Sequence, residues 1–185
     1  MSLILDGTAG VTFPASQTPS MTAYQGGVLT SGTAVASTSG TSIDFTGIPS
    51  WVKRITVMLS GVSTNGTSNL QIQLGASGGV ETSGYTGVTG VVDGTSPTYG
   101  ANNLTAGVLL SNATAASYTF QGQIVFCNLS GNTWSFSGNI GTVGVIRLGM
   151  QGGFKTLANP LTTVRITTVN GTDTFDAGSI NILYE

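Results

Sequence analysis

The sequence predicts an all-β protein: an antiparallel β-sandwich, jelly-roll-like, with an extended N-terminal arm. Three observations carry that prediction. Apolar residues recur with period two in a series of short segments, the spacing of strands that bury one face. With only 5 Lys and Arg and 7 Asp and Glu in 185 residues, the i,i+4 charge pairs that support helices have almost no material. The chain is instead built from 28 Gly, 29 Thr, 20 Ser and 11 Asn, residues that favour strands and turns over helix interiors.

Residues 1–40 read as an anchoring arm and linker, and residues 41–185 as the β domain. In the arm, Leu3, Ile4 and Leu5 make a short apolar strand, Asp6-Gly7 a turn, and residues 11–13 a second strand carrying Val11 and Phe13. These five apolar residues are the candidates for attachment, because short strands can add to a partner's exposed sheet edge through backbone pairing. Residues 14–40 are rich in Ser, Thr, Gly and Ala, with Pro14 and Pro19, the composition of a linker.

The domain's strands follow in order. Residues 42–46 place Ile43 and Phe45 on one face. Residues 51–59 put Trp51, Ile55, Val57 and Leu59 together, with Arg54, Thr56 and Met58 opposite. Residues 70–74 alternate perfectly as Leu-Gln-Ile-Gln-Leu. Residues 118–126 align Tyr118, Phe120, Ile124 and Phe126, and residues 133–137 align Trp134 and Phe136. Further strands are expected at 104–110, 143–148, 164–169 and 179–184. Asn65-Gly66, Ser130-Gly131-Asn132, Ser137-Gly138-Asn139 and Asn170-Gly171 lie between runs and are expected as turns, Asn-Gly supplying the positive φ of tight hairpins. Residues 75–103, rich in Gly, Ser and Thr, read as a long excursion, and long loops are commonly functional.

Composition also excludes chemistry. Five cations cannot form the basic stripe that nucleic-acid binding needs. With no histidine, the commonest general base and metal ligand is missing. Cys127 is the one cysteine, so no intrachain disulfide and no Cys-rich zinc site is expected. No apolar run approaches a membrane span, and residues 1–10 have no cationic region of the secretory type.

Each remaining candidate has a plain alternative. Glu81 and Asp93 share residues 75–103 and would suit paired-carboxylate hydrolysis only if they met; solvated turn acids are the simpler expectation. Asp173 and Asp176 are expected to make turn hydrogen bonds. Cys127, after Ile124-Val125-Phe126, is expected in the core or at a strand end. Trp51 and Trp134 fall on apolar strand faces and are expected in the core. Tyr85 and Tyr99 have no packing register and are the candidates for contact with a receptor or glycan; packing of their segment onto the sandwich is the competing expectation. Neither a catalytic residue, a metal site nor a cofactor is expected.

A resemblance adds to this reading. Residues 2–14, Ser-Leu-Ile-Leu-Asp-Gly-Thr-Ala-Gly-Val-Thr-Phe-Pro, resemble a short motif common in tailed-phage tail-fibre and other virion proteins. The stretch 39–57, with Ser42-Ile43-Asp44-Phe45 and Pro49-Ser50-Trp51-Val52, and the ending 164–185 are similar to segments of phage and prophage structural proteins. The resemblance implies a non-enzymatic tail-fibre, head-fibre or decoration protein, located in the virion after assembly in the host cytoplasm. The partners it implies are a homotrimer's own copies, other virion proteins and a host surface glycan. The alternative expectation is a carbohydrate-binding receptor-recognition module. Scarcity of charge suits the first, because free domains stay soluble partly through charge.

Overall fold

The computed structural model describes residues 4–6, 10–12, 29–94, 99–112 and 114–185. The described residues form sixteen strands and no helix, and every pairing is antiparallel. Strands β1 (Ile4–Asp6) and β2 (Gly10–Thr12) pair with each other in register Leu5 to Val11. Ile4, Leu5 and Val11 thus sit in a short ladder, while Leu3 and Phe13 lie outside the described residues.

The rest is a two-sheet sandwich. In chain order the strands are β3 (Thr30–Ser31), β4 (Val35–Ala36), β5 (Ser42–Thr46), β6 (Arg54–Thr64), β7 (Leu70–Ala76) and β8 (Gly79–Val80). There follow β9 (Tyr85–Asp93), β10 (Tyr99–Leu104), β11 (Val108–Leu109), β12 (Thr119–Ser130) and β13 (Thr133–Val143). The last three are β14 (Arg147–Thr156), β15 (Leu161–Thr168) and β16 (Phe175–Tyr184). The larger sheet runs β10-β9-β14-β13-β12-β6-β16-β3, with β4 also on β16. The smaller runs β11-β7-β15-β5, with β8 on β7.

The core lies between the sheets and is made by the alternation legible in the sequence. Ile55, Val57, Phe120, Ile124, Phe126 and Ile140 from the larger sheet meet Ile72, Leu74, Val164 and Ile166 from the smaller, all at most 1% exposed. Burying a side chain of this kind contributes about 1.5–3 kcal/mol, so this layer dominates stability. Trp134 belongs to it, 4% exposed. Trp51 is only half-buried and packs against Tyr184, ring centroids 6.0 Å apart.

A bulge keeps two distant core residues inward. On β6 the register slips by one residue against both neighbours: Leu59 faces Gly122 and Val62 faces Phe120, while Ser60 faces Ser179 and Ser63 faces Ala177. Three glycines at this slip have positive φ, Gly61 (63°), Gly122 (133°) and Gly178 (92°). The extra residue lets Leu59 and Val62, an odd number apart, both point into the core.

Several expectations are corrected. Residues 75–103 are mostly strand, not a long loop: β9 pairs β14 along its whole length and β10 pairs β9. Glycines hid the pattern, because Gly87 and Gly90 contribute no side chain to the alternation. Gly87 stands opposite Gly153, and a Cβ on Gly153 would lie 2.7 Å from the Phe136 ring, so the aromatic occupies the space the glycines leave. Residues 143–148 are not one strand but straddle the β13–β14 hairpin, and residues 137–139, expected as a turn, lie inside β13, paired on both sides. The expected strand at 104–110 is divided between the end of β10 and the short β11. Cys127 is exposed rather than in the core, because it alternates with the inward Phe126. In addition, β3 and β4 pair with β16 and Ser37 is fully buried, so the sandwich already includes residues before 40.

Candidate functional site

Charge is the scarcest resource in this chain, and its placement narrows the site. Four of the five cations are ion-paired: Arg54 with Glu185 at 3.0 Å, Arg147 with Asp93 at 2.9 Å, Lys155 with Glu81 at 2.6 Å, and Arg165 with Asp44 at 2.6 Å. Glu81 and Asp93 are therefore not a carboxylate pair. Glu81 precedes β9 and Asp93 ends it, each held by its own cation from β14.

Tyr85 is part of the first of these arrangements, not of the surface. It begins β9 on the inward face, 3% exposed, opposite Lys155 in the ladder. The Lys155 ammonium lies 5.5 Å from its ring centroid, and its hydroxyl accepts the Leu74 N–H at 2.6 Å. Burial pushes the hydroxyl's pKa up, against the opposing effect of the Leu74 hydrogen bond. Packing onto the sandwich thus describes Tyr85, which is closed to a receptor. The backbone of Tyr99 pairs with Val92 at the start of β10, and its side chain lies outside the described residues.

Burial opposes ionisation of Glu81, but the Lys155 ammonium and the Ala158 N–H (2.8 Å from Oε1) outweigh it, leaving the carboxyl below its ordinary value. Asp173 is also lowered, by the Asn170 amide first and then the Ser68 N–H, at 2.6 and 2.9 Å. It ties the turn at Asn65-Gly66 to the turn at Asn170-Gly171. Asp176 accepts a short hydrogen bond from the Ser63 hydroxyl. Asp173 does the turn work expected of it, whereas Asp176 lies in β16 and bonds across to β6 instead. Among the described residues no three His, Cys, Asp or Glu are grouped to hold a metal ion, and no helix is long and apolar enough to cross a membrane.

Two surface features remain. The first is the outward face of β9, β14, β13 and β12. Alternation puts Arg147, Lys155 and Asp93 inward, so no outward position on these four strands carries a charge. Val88, Val92, Leu148, Met150 and Phe154 form an apolar block there, each about 39–51% exposed. Val92 and Leu148 are direct cross-strand neighbours, and Phe154 lies diagonal to Val88. Val143 and Ile146 continue the block at the β13–β14 turn, 55% and 72% exposed.

The second is a cavity of about 210 Å³ at one end of the sandwich, between the β12–β13 hairpin and the loop 48–53. Trp134, Pro49 and Pro160 line it, with Lys53, Asn128 and Asn132 among the polar residues. Sequence reading missed this place, because its parts come from three separated turns. Its one signal was Trp134 next to a Ser-Gly-Asn hairpin.

No family model, no curated protein and no solved structure matches the chain.

Proposed function

We propose that this chain is a non-enzymatic structural component of a phage virion, of fibre or decoration type, which associates with copies of itself and is anchored through its N-terminal arm. The observation that carries the reading is the charge-free outward face of β9, β14, β13 and β12 with its apolar block. Contiguous apolar surface of this kind on a sheet is a feature of proteins that are covered in their working state. A face without charges also meets its own copy with no repulsion and no ion to desolvate. The resemblance of residues 2–14 to a virion motif supplies the phage context, and the β1–β2 ladder provides short strands of the kind that add to a partner's sheet edge.

The test is mass in solution. Wild-type protein sediments as a trimer, and Phe154→Glu or Met150→Lys shifts it to monomer while far-ultraviolet circular dichroism is unchanged. A wild-type monomer at micromolar concentration would overturn the self-association. Removal of residues 1–14 leaves the sandwich folded and prevents incorporation into particles; incorporation of the truncated chain would show that the arm is not the anchor.

A further inference from the structure

The geometry points to a binding site for a single sugar ring bearing a carboxylate, of uronic-acid or sialic-acid type, in the cavity beside Trp134. Lys53 is the one cation that pairs with no carboxylate among the described residues. In a chain that neutralises its other four, this exposed residue stands at the cavity's lining.

Lys53 is held there. The Asn128 amide donates to the carbonyls of Gly131 and Thr133, at 2.9 and 3.3 Å, which fixes the side chain across its own hairpin. Its Oδ1 then accepts from the Lys53 ammonium at 3.3 Å. That leaves the other ammonium hydrogens for a ligand anion. The neighbouring backbone is pinned as well, with Asn128 N–H donating to Lys53 O at 2.7 Å and Lys53 N–H to Glu185 O at 2.7 Å.

The rest of the lining suits a sugar ring. Pro49 and Pro160 offer an apolar wall for the C–H face of a pyranose, and Trp134, 4% exposed, backs the cavity from the core. Ser50 and Asn132 have no side-chain partner among the described residues and supply both donors and acceptors for hydroxyls. The volume, about 210 Å³, falls under the roughly 300–1,000 Å³ of sites for drug-sized ligands, which fits one ring rather than a chain. The cavity shares no residue with the apolar block of β9 and β14, so the site and the self-association stand or fall separately.

Titration with sodium glucuronate and with N-acetylneuraminate, followed by tryptophan fluorescence and calorimetry, tests the site, with glucose and N-acetylglucosamine as neutral controls. At least one acid sugar binds saturably, at least tenfold tighter than the neutral sugars. Lys53→Gln removes that tenfold preference. Asn128→Asp removes it too, because a carboxylate then neutralises the ammonium from within; thermal melts of both variants confirm folding. The same titration on Phe154→Glu gives the wild-type result. Absence of saturable binding by both acid sugars, equal binding of neutral ones, or undiminished binding by folded Lys53→Gln would overturn the proposal.

Discussion

At the scale of single residues, the buried Lys155 has the greatest consequence. It is 4% exposed, and its charge is balanced by Glu81 and faced by the Tyr85 ring. Removing one member of a buried pair costs about 3–5 kcal/mol, because the other is left uncompensated. Glu81→Gln, which strands the Lys155 charge, is therefore expected to lower unfolding free energy by about 3 kcal/mol in urea, whereas Lys53→Gln changes it by less than about 0.5 kcal/mol. The pH dependence has a definite sign. Glu81 ionises in the fold below its ordinary value of 4.5, so its stabilisation is complete above pH 4.5 and is lost as pH falls through the lower folded value. The gap between wild type and Glu81→Gln should stay constant from pH 7 to 5 and narrow below pH 4.5. A gap that widened on acidification would contradict the pairing.

At the scale of elements, glycines decide where strands approach and where they slip. Gly152 and Gly153 are neighbours on β14 with opposite surroundings. A Cβ on Gly152 meets nothing within 4 Å, whereas one on Gly153 would lie 2.3 Å from Thr86 O and 2.6 Å from Gly87 Cα. Gly152→Ala is expected to be neutral or slightly stabilising, and Gly153→Ala to cost about 1–3 kcal/mol by overpacking. At the bulge, Gly178→Ala adds a Cβ 2.4 Å from Gly61 O at a φ of 92°, whereas Gly61→Ala meets open space at a φ of 63°. Gly61→Ala should cost about 1–2 kcal/mol for its left-handed conformation, and Gly178→Ala more. Chemical denaturation of the four variants ranks them; the reverse order within either pair would contradict the register.

This is also the scale at which sequence reading was least complete. Strands β5, β6, β7, β12, β15 and β16 were legible because Ile43, Phe45, Ile55, Val57, Leu59, Ile72, Phe120, Ile124, Val164, Ile166, Ile180 and Ile182 mark one face with large side chains. Strand β9 was not, because its inward face is Tyr85, Gly87, Thr89 and Val91. A glycine paired with another strand's glycine under an aromatic ring leaves no periodic trace. Tyr85 was misplaced for the same reason: nothing local says that Lys155 will stand opposite it.

At the scale of the whole molecule, the low charge acquires a geography. Four ion pairs take up most of the charges, one of them, Arg165 with Asp44, on the outer face of the smaller sheet, and the outward face of four adjacent strands of the larger sheet is left without any. Self-association through that face should not depend on screening. At about 1 M NaCl the Debye length is roughly 3 Å, yet sedimentation should show the same assembly as at low salt, and sulfate should tighten it. Dissociation by salt would point to a charged interface instead.

The sequence alone determined the class of fold, because period-two alternation and Asn-Gly turns are local properties that any antiparallel sandwich needs. It also determined that charge, histidine and cysteine chemistry were scarce, because composition does not depend on folding. Tertiary structure decided which surface stays bare and which cation stays unpaired. Both are differences between residues far apart in the chain: Arg147 and Lys155 turn inward only by the register of β14 on β9, and Lys53 meets Trp134 only where separate turns converge.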